Sequence, residues 1–188
     1  MGQSVFVRDA KPERRVVVTG IGLITPLGLT VAENWQNITN GHSGISEIAA
    51  FDPEQFVSKI AGQVKDFDPN TIVEKKDQKK MDRFIMFSLE STRQALEDSG
   101  LDLETNELLK ARSGALIGVG IGGLPDIEKQ AKIYQDRGPS RISPFFIPAV
   151  ITNMASGHIT IKYGLRGPNF SVTSACASGA HSVGEAAH

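Results

Sequence analysis

Three short runs constrain the fold more than anything else in this chain: Arg15–Gly20, Gly114–Val119 and Asn169–Ser174. Each is a few residues long, rich in Val, Ile, Leu, Phe or Thr, and bounded by turn residues or small residues. Continuous apolar runs of this length read as strands buried on both faces, and such strands belong to parallel sheets covered by helices. Helical segments lie between them. Thr30-Val31-Ala32-Glu33 is a capping box, Trp35 and Ile38 supply an apolar stripe, and Asn40-Gly41 is the stop. Residues 41–77 read as irregular and polar. Met81, Phe84, Ile85, Leu89 and Leu96 recur at helical spacing up to Gly100. Pro125 opens another helix, with Ile127, Ala131 and Tyr134 on one face and Gly138 at its end. A further helix is expected over about 149–163. Strand and helix alternate, so the class is α/β with a mainly parallel sheet and helices on both faces.

Composition excludes several functions. Lys and Arg number 20 against 21 Asp and Glu, for a net charge of -1, so the chain is no electrostatic nucleic-acid binder. It has one Cys, which excludes a disulfide framework and a Cys-based zinc cluster. His42, His158, His181 and His188 show no metal-ligand spacing, so no metal is expected. No apolar run reaches the roughly 20 residues of a membrane helix, and the start has no secretory pattern. These features are read as a soluble protein of the reducing cytoplasm. Residues 1–13 are read as a flexible lead-in. The helix after Cys176 meets no stop signal before His188, so the chain is expected to be cut inside an element.

Cys176 follows a strand directly and opens a helix. Helix N-terminal N–H groups favour a thiolate and a developing oxyanion, and the small neighbours Ala175, Ala177, Ser178, Gly179 and Ala180 admit a substrate. The plainer reading is a buried inert thiol. Gly118-Val119-Gly120-Ile121-Gly122-Gly123 matches GxGxxG after a strand, a dinucleotide signature, but no ribose-binding acid is well placed. Its glycines serve equally as tight turns near a packed site. His181 lies five residues after Cys176, on another side of the helix, and is a poor base for it. The run Lys75-Lys76-Asp77-Gln78-Lys79-Lys80 is either a solvated face or a dock for an acidic partner.

The order of Arg14-Arg15-Val16-Val17-Val18-Thr19-Gly20-Ile21-Gly22, the Gly118–Gly123 motif, Ser143-Pro144-Phe145-Phe146-Ile147-Pro148, Tyr163-Gly164-Leu165-Arg166-Gly167-Pro168 and Thr173-Ser174-Ala175-Cys176-Ala177-Ser178-Gly179 resembles the elongating type II β-ketoacyl-[acyl-carrier-protein] synthases. The resemblance covers nearly all of 14–188. It implies the N-terminal half of a thiolase-like fold, incomplete without a C-terminal half, in a homodimeric acyltransferase of fatty acid biosynthesis. It implies decarboxylative condensation of an acyl thioester with malonyl-carrier protein, needing no cofactor. Cys176 resembles the family's nucleophile, whose own N–H is half of the oxyanion hole. Ile121 and Phe146 resemble residues lining the acyl pocket, Phe146 across the dimer. Lys76, Lys79 and Lys80 resemble the patch that meets the carrier protein. The family's two catalytic histidines and its lysine fall beyond residue 188, so this chain alone is expected to be inactive. Two alternatives stand beside it: a dinucleotide-binding α/β domain, and a structural half-domain that assembles with another chain.

Overall fold

A computed structural model describes residues 15–188; the lead-in assigned to 1–13 lies outside the described residues. Its elements in chain order are α1 (Val31–Thr39), β1 (Ile45–Glu47), β2 (Ile60–Gly62), α2 (Lys75–Gln78), α3 (Arg83–Ser99), α4 (Glu107–Arg112), β3 (Ala115–Gly118), α5 (Leu124–Arg137), α6 (Phe146–Val150), α7 (Met154–Tyr163), β4 (Asn169–Val172) and α8 (Ser178–Ala187).

β3 and β4 pair in parallel, Ala115 against Asn169 through Gly118 against Val172. Alternation along β3 sorts its neighbours. Ala115 and Ile117 face the core made with Ile85, Met86 and Leu89 of α3 and Ile159 of α7. Gly118 faces the other way: a Cβ built there would lie 2.2 Å from Ser178 O of α8. The parallel pair is thus covered by α3 and α7 on one side and by α8 on the other. α3 carries the longest apolar stripe, starts on the Asp82 cap and ends at Gly100 in the left-handed conformation.

Four expectations need correction. Val16, Val17 and Val18 belong to no strand and are 55%, 66% and 80% exposed, because no neighbouring strand pairs with them among the described residues. Just past that segment the chain is fastened to α3, by Ile21 N donating to Asp98 Oδ2 at 2.9 Å and Leu23 N to Gln94 Oε1 at 3.2 Å. The 169–174 strand stops at Val172, and its first half is exposed. The 41–77 region holds an antiparallel pair, β1 with β2, which three-residue strands joined by a long connection do not announce. Finally, the 149–163 helix is two helices, α6 and α7. Val150 O accepts from Gly123 N at 3.1 Å, and the chain turns extended at Ile151 before α7 begins.

The capping box of α1 is present as expected, yet Trp35 and Ile38 are exposed and Asn34 is the buried residue. In α5 the buried position is Gln130, whose Oε1 accepts from Ser143 N at 2.9 Å; Ile127, Ala131 and Tyr134 lie on its exposed side. Both helices pack here through polar groups that tie loops down, while their apolar stripes stay uncovered.

Candidate active site

The site is built at the turn from β4 into α8. Beyond Val172 the chain makes one 3-10 turn, Ala175–Ala177, before α8 starts at Ser178. Ala175 has φ +53°, one of two non-glycine residues with positive φ among the described residues. That conformation costs a non-glycine residue about 1–2 kcal/mol, and strain of this kind gathers at functional sites. It turns the chain sharply, and Cys176 stands exposed on the outside of the bend.

Ser178 holds the bend from inside. It is 2% exposed. Its Oγ accepts from Ser174 N at 2.8 Å and lies 2.7 Å from Ala175 O and 3.3 Å from Val119 O. One hydroxyl therefore joins the elbow to the end of β3. No side chain caps the N-terminus of α8; Ala177 N and Ser178 N donate to Ser174 O and Ala175 O within the 3-10 turn, and the positive end of the α8 dipole favours negative charge that develops beside Cys176. Such charge appears when a thiolate adds to a thioester carbonyl.

The histidines do not complete a dyad. His181 Nδ1 is hydrogen-bonded to Ser174 Oγ at 2.7 Å, and His42 Nδ1 to Asn37 Oδ1 at 2.9 Å. His158 is half-buried on α7; desolvation pushes its pKa down. Among the described residues no group of three or more His, Cys, Asp or Glu could hold a metal ion, and no helix is long and apolar enough to cross a membrane.

The GxGxxG stretch spends its glycines on close packing. Gly118 meets Ser178, and Cβ atoms built at Gly122 and Gly123 would lie 2.4 Å from Val150 O and 3.0 Å from Val150 Cα. Backbone of this protein occupies the space beside those positions, so the tight-turn reading of the motif is the one the structure supports.

Ile121 and Phe146 stand in different settings. Ile121 is 68% exposed on the turn after β3. Phe146, the first residue of α6, lines a cavity of about 500 Å³ with Lys79, Asp82, Arg83 and Gln130. The lysines are also in different situations. Lys76 pairs with Glu74 at 2.7 Å, both well exposed, and Lys80 with Asp77 at 2.6 Å. Lys80 Nζ also sits 5.6 Å from the centre of the Phe145 ring. Lys79 lies at the cavity. Sequence reading overlooked two parts of the site, the Ala175 strain and the Ser178 clamp. The only available signal for the second was a lone hydroxyl in a run of Ala and Gly.

A family model described as "Beta-ketoacyl synthase, N-terminal domain" matches residues 13–188. The chain is 49% identical over 175 residues to a 3-oxoacyl-[acyl-carrier-protein] synthase 2 of Coxiella burnetii and 47% identical to one of Vibrio cholerae. Each alignment covers 93% of this chain and 42% of the relative, so the chain spans about two fifths of their length. Among solved structures, the ishigamide ketosynthase/chain length factor superposes with a TM-score of 0.77 at 29% identity, over 92% of this chain and 43% of that one. A ketosynthase bound to a hexaketide, in complex with its type II PKS acyl-carrier protein, gives the same score at 23% identity, over 91% and 46%; it speaks to the fold alone. A thiolase-like fold, an exposed cysteine on a strained strand-to-helix elbow and the match along 13–188 converge: the chain belongs to the β-ketoacyl synthase family, whose N-terminal domain it carries.

Proposed function

We propose that the protein carrying this chain is a condensing enzyme of fatty acid synthesis in the cytoplasm, and that Cys176 is its nucleophile. The observation that carries the reading is the elbow: an exposed thiol on a bend strained at Ala175, at the uncapped N-terminus of a ten-residue helix. In the first step the Cys176 thiolate adds to the carbonyl of an acyl thioester on a carrier protein. The tetrahedral oxyanion collapses, the carrier thiolate leaves and takes up a proton, and an acyl-cysteine remains. The N-terminus of α8 faces the charge that builds up in this step. In the second step a malonyl thioester loses carbon dioxide. The carbanion so formed attacks the acyl-cysteine carbonyl, giving a 3-oxoacyl thioester and returning the Cys176 thiolate. The histidines and lysine that assist this step in the resembling family lie outside residues 1–188.

The acyl chain would run past Ile121 and Phe146, the latter across a homodimer. Lys76, Lys79 and Lys80 would meet the acidic carrier protein. Support for this placement is that Phe146 and Lys79 border one cavity. The test is to incubate the intact protein with an acyl-carrier protein and map the adduct by peptide mass spectrometry. Acylation confined to the Cys176 peptide, and lost in Cys176→Ser along with condensation, is the expected result. Undiminished chain elongation by that variant would refute the assignment.

A further inference from the structure

Asp82 caps α3, yet capping does not account for it. It is 7% exposed, and no ion pair among the described residues includes it. Burial pushes its carboxyl above the ordinary range, against the opposing pull of the backbone N–H groups of Phe84, Asp126 and Arg83. A carboxylate held this way is costly, and Asn or Ser would cap a helix about as well. The second oxygen has a different partner. Oδ1 accepts from Phe84 N of α3, while Oδ2 accepts from Asp126 N in the first turn of α5, both at 3.4 Å. The backbone of the same residue donates to Ala149 O of α6 at 3.3 Å. A Cβ built at Gly123 would lie 3.0 Å from both Asp82 Cβ and Val150 Cα. Three elements therefore close on this side chain: α3, the turn that runs from Gly120 into α5, and α6. Ile121 stands on that turn and Phe146 one helical turn before Ala149.

We infer that Asp82 is a positioning residue that fixes the Ile121 turn by anchoring it to α3 and α6 of its own subunit, and so limits the acyl chain length the enzyme accepts. The inference rests on the acyl-pocket reading above. Its two links act in one direction: the carboxylate draws the start of α5 toward α3, and the backbone donor draws α6 to the same point. Without the carboxylate bridge the turn is free to withdraw, and longer chains gain.

The experiment uses the intact protein and compares kcat/KM for hexadecanoyl- and hexanoyl-carrier protein. Asp82→Asn keeps the size and one acceptor, enough to cap α3, but sets an N–H group against Asp126 N. The expected result is a rise of about tenfold in the long-to-short ratio, the scale on which an apolar pocket separates chain lengths, with short-chain acylation of Cys176 within about twofold. Gly123→Ala leaves the carboxylate chemically intact but crowds Asp82 Cβ and Val150, prying the same junction apart, and should move the ratio the same way. A ratio that stays or falls in the folded variants overturns the inference, since a purely structural residue would lower both substrates together. Failure of wild-type Cys176 to take up either chain would instead sink the condensing-enzyme reading, leaving the two outcomes distinct.

Discussion

The tightest contact at the site is between β3 and α8, and a single methyl tests it. A Cβ at Gly118 would sit 2.2 Å from Ser178 O and 2.4 Å from Ser178 C. Ordinary carbon–oxygen contacts begin near 3.3 Å, so Gly118→Ala demands a displacement of about 1 Å. Neither neighbour yields easily, because both are backbone. β3 is held by its ladder to β4, and Ser178 by its bonds to Ser174, Ala175 and Val119. Overpacking of this kind costs about 1–3 kcal/mol, and a 1 Å misplacement of a reacting group costs about 100-fold in rate. Gly184→Ala is the matched control. It makes the same substitution on the same helix, where a Cβ meets nothing within 4 Å. There the gain in helix propensity should stabilise by about 1 kcal/mol. In the intact protein, denaturant unfolding gives the stability difference and iodoacetamide labelling of Cys176 gives the site's integrity. Gly118→Ala should lower stability and slow labelling; Gly184→Ala should do neither. If Gly118→Ala unfolded and labelled like wild type, α8 would not be seated on β3 as described, and the geometry of the elbow would lose its support.

Two further outcomes follow from charge. Changing Lys76, Lys79 and Lys80 together to Glu should weaken turnover of carrier-bound substrates far more than of small thioesters, and the gap should close as salt rises, because exposed charges are screened over about 10 Å at 0.1 M; equal loss for both substrates at all salt concentrations returns the lysines to a solvated face. His158 is half-buried, its Nε2 is buried without a hydrogen-bond partner among the described residues, and desolvation lowers its pKa against a weaker pull upward from Asp77. Its unfolded form therefore binds the proton more readily, so stability is lost as pH falls below about 6.5. His158→Gln should flatten that part of the melting-temperature profile between neutral and mildly acidic pH, and an unchanged acid slope would rule the residue out as its source.

The parts of the fold that could be read from sequence are those fixed by local chemistry. The Thr30–Glu33 capping box closes within four residues, and Gly100 ends α3 by its own backbone freedom. The parallel strands β3 and β4 lie where their apolar runs place them. What escaped notice depends on partners distant in sequence. Val16 to Val18 read as a buried strand because their side chains suit one, yet burial is conferred by neighbours, and none pairs with them here. The helix over 149–163 looked continuous because nothing in that stretch shows that Val150 O is claimed by Gly123, 27 residues earlier. For α5 the apolar residues misled, since Gln130 is recruited by Ser143 instead.

The same distinction explains why the candidate nucleophile was visible and its surroundings were not. A cysteine between a strand and a helix, flanked by Ala, Ser and Gly, announces an elbow by residue type alone, because only small residues permit the bend. The junction around Asp82 is assembled from α3, the 120–123 turn and α6, whose residues lie about 25 to 95 positions upstream of Cys176 in the chain. Their shared feature is a carboxylate that sequence marks only as a helix cap. Asp82 satisfies two N–H groups from different helices and pairs with no cation among the described residues. A residue selected for stability alone would be Asn or Ser at that position, since either caps without burying charge. The elbow thus locates the chemistry proposed for this chain, and the costly carboxylate marks the junction proposed to set the pocket's length.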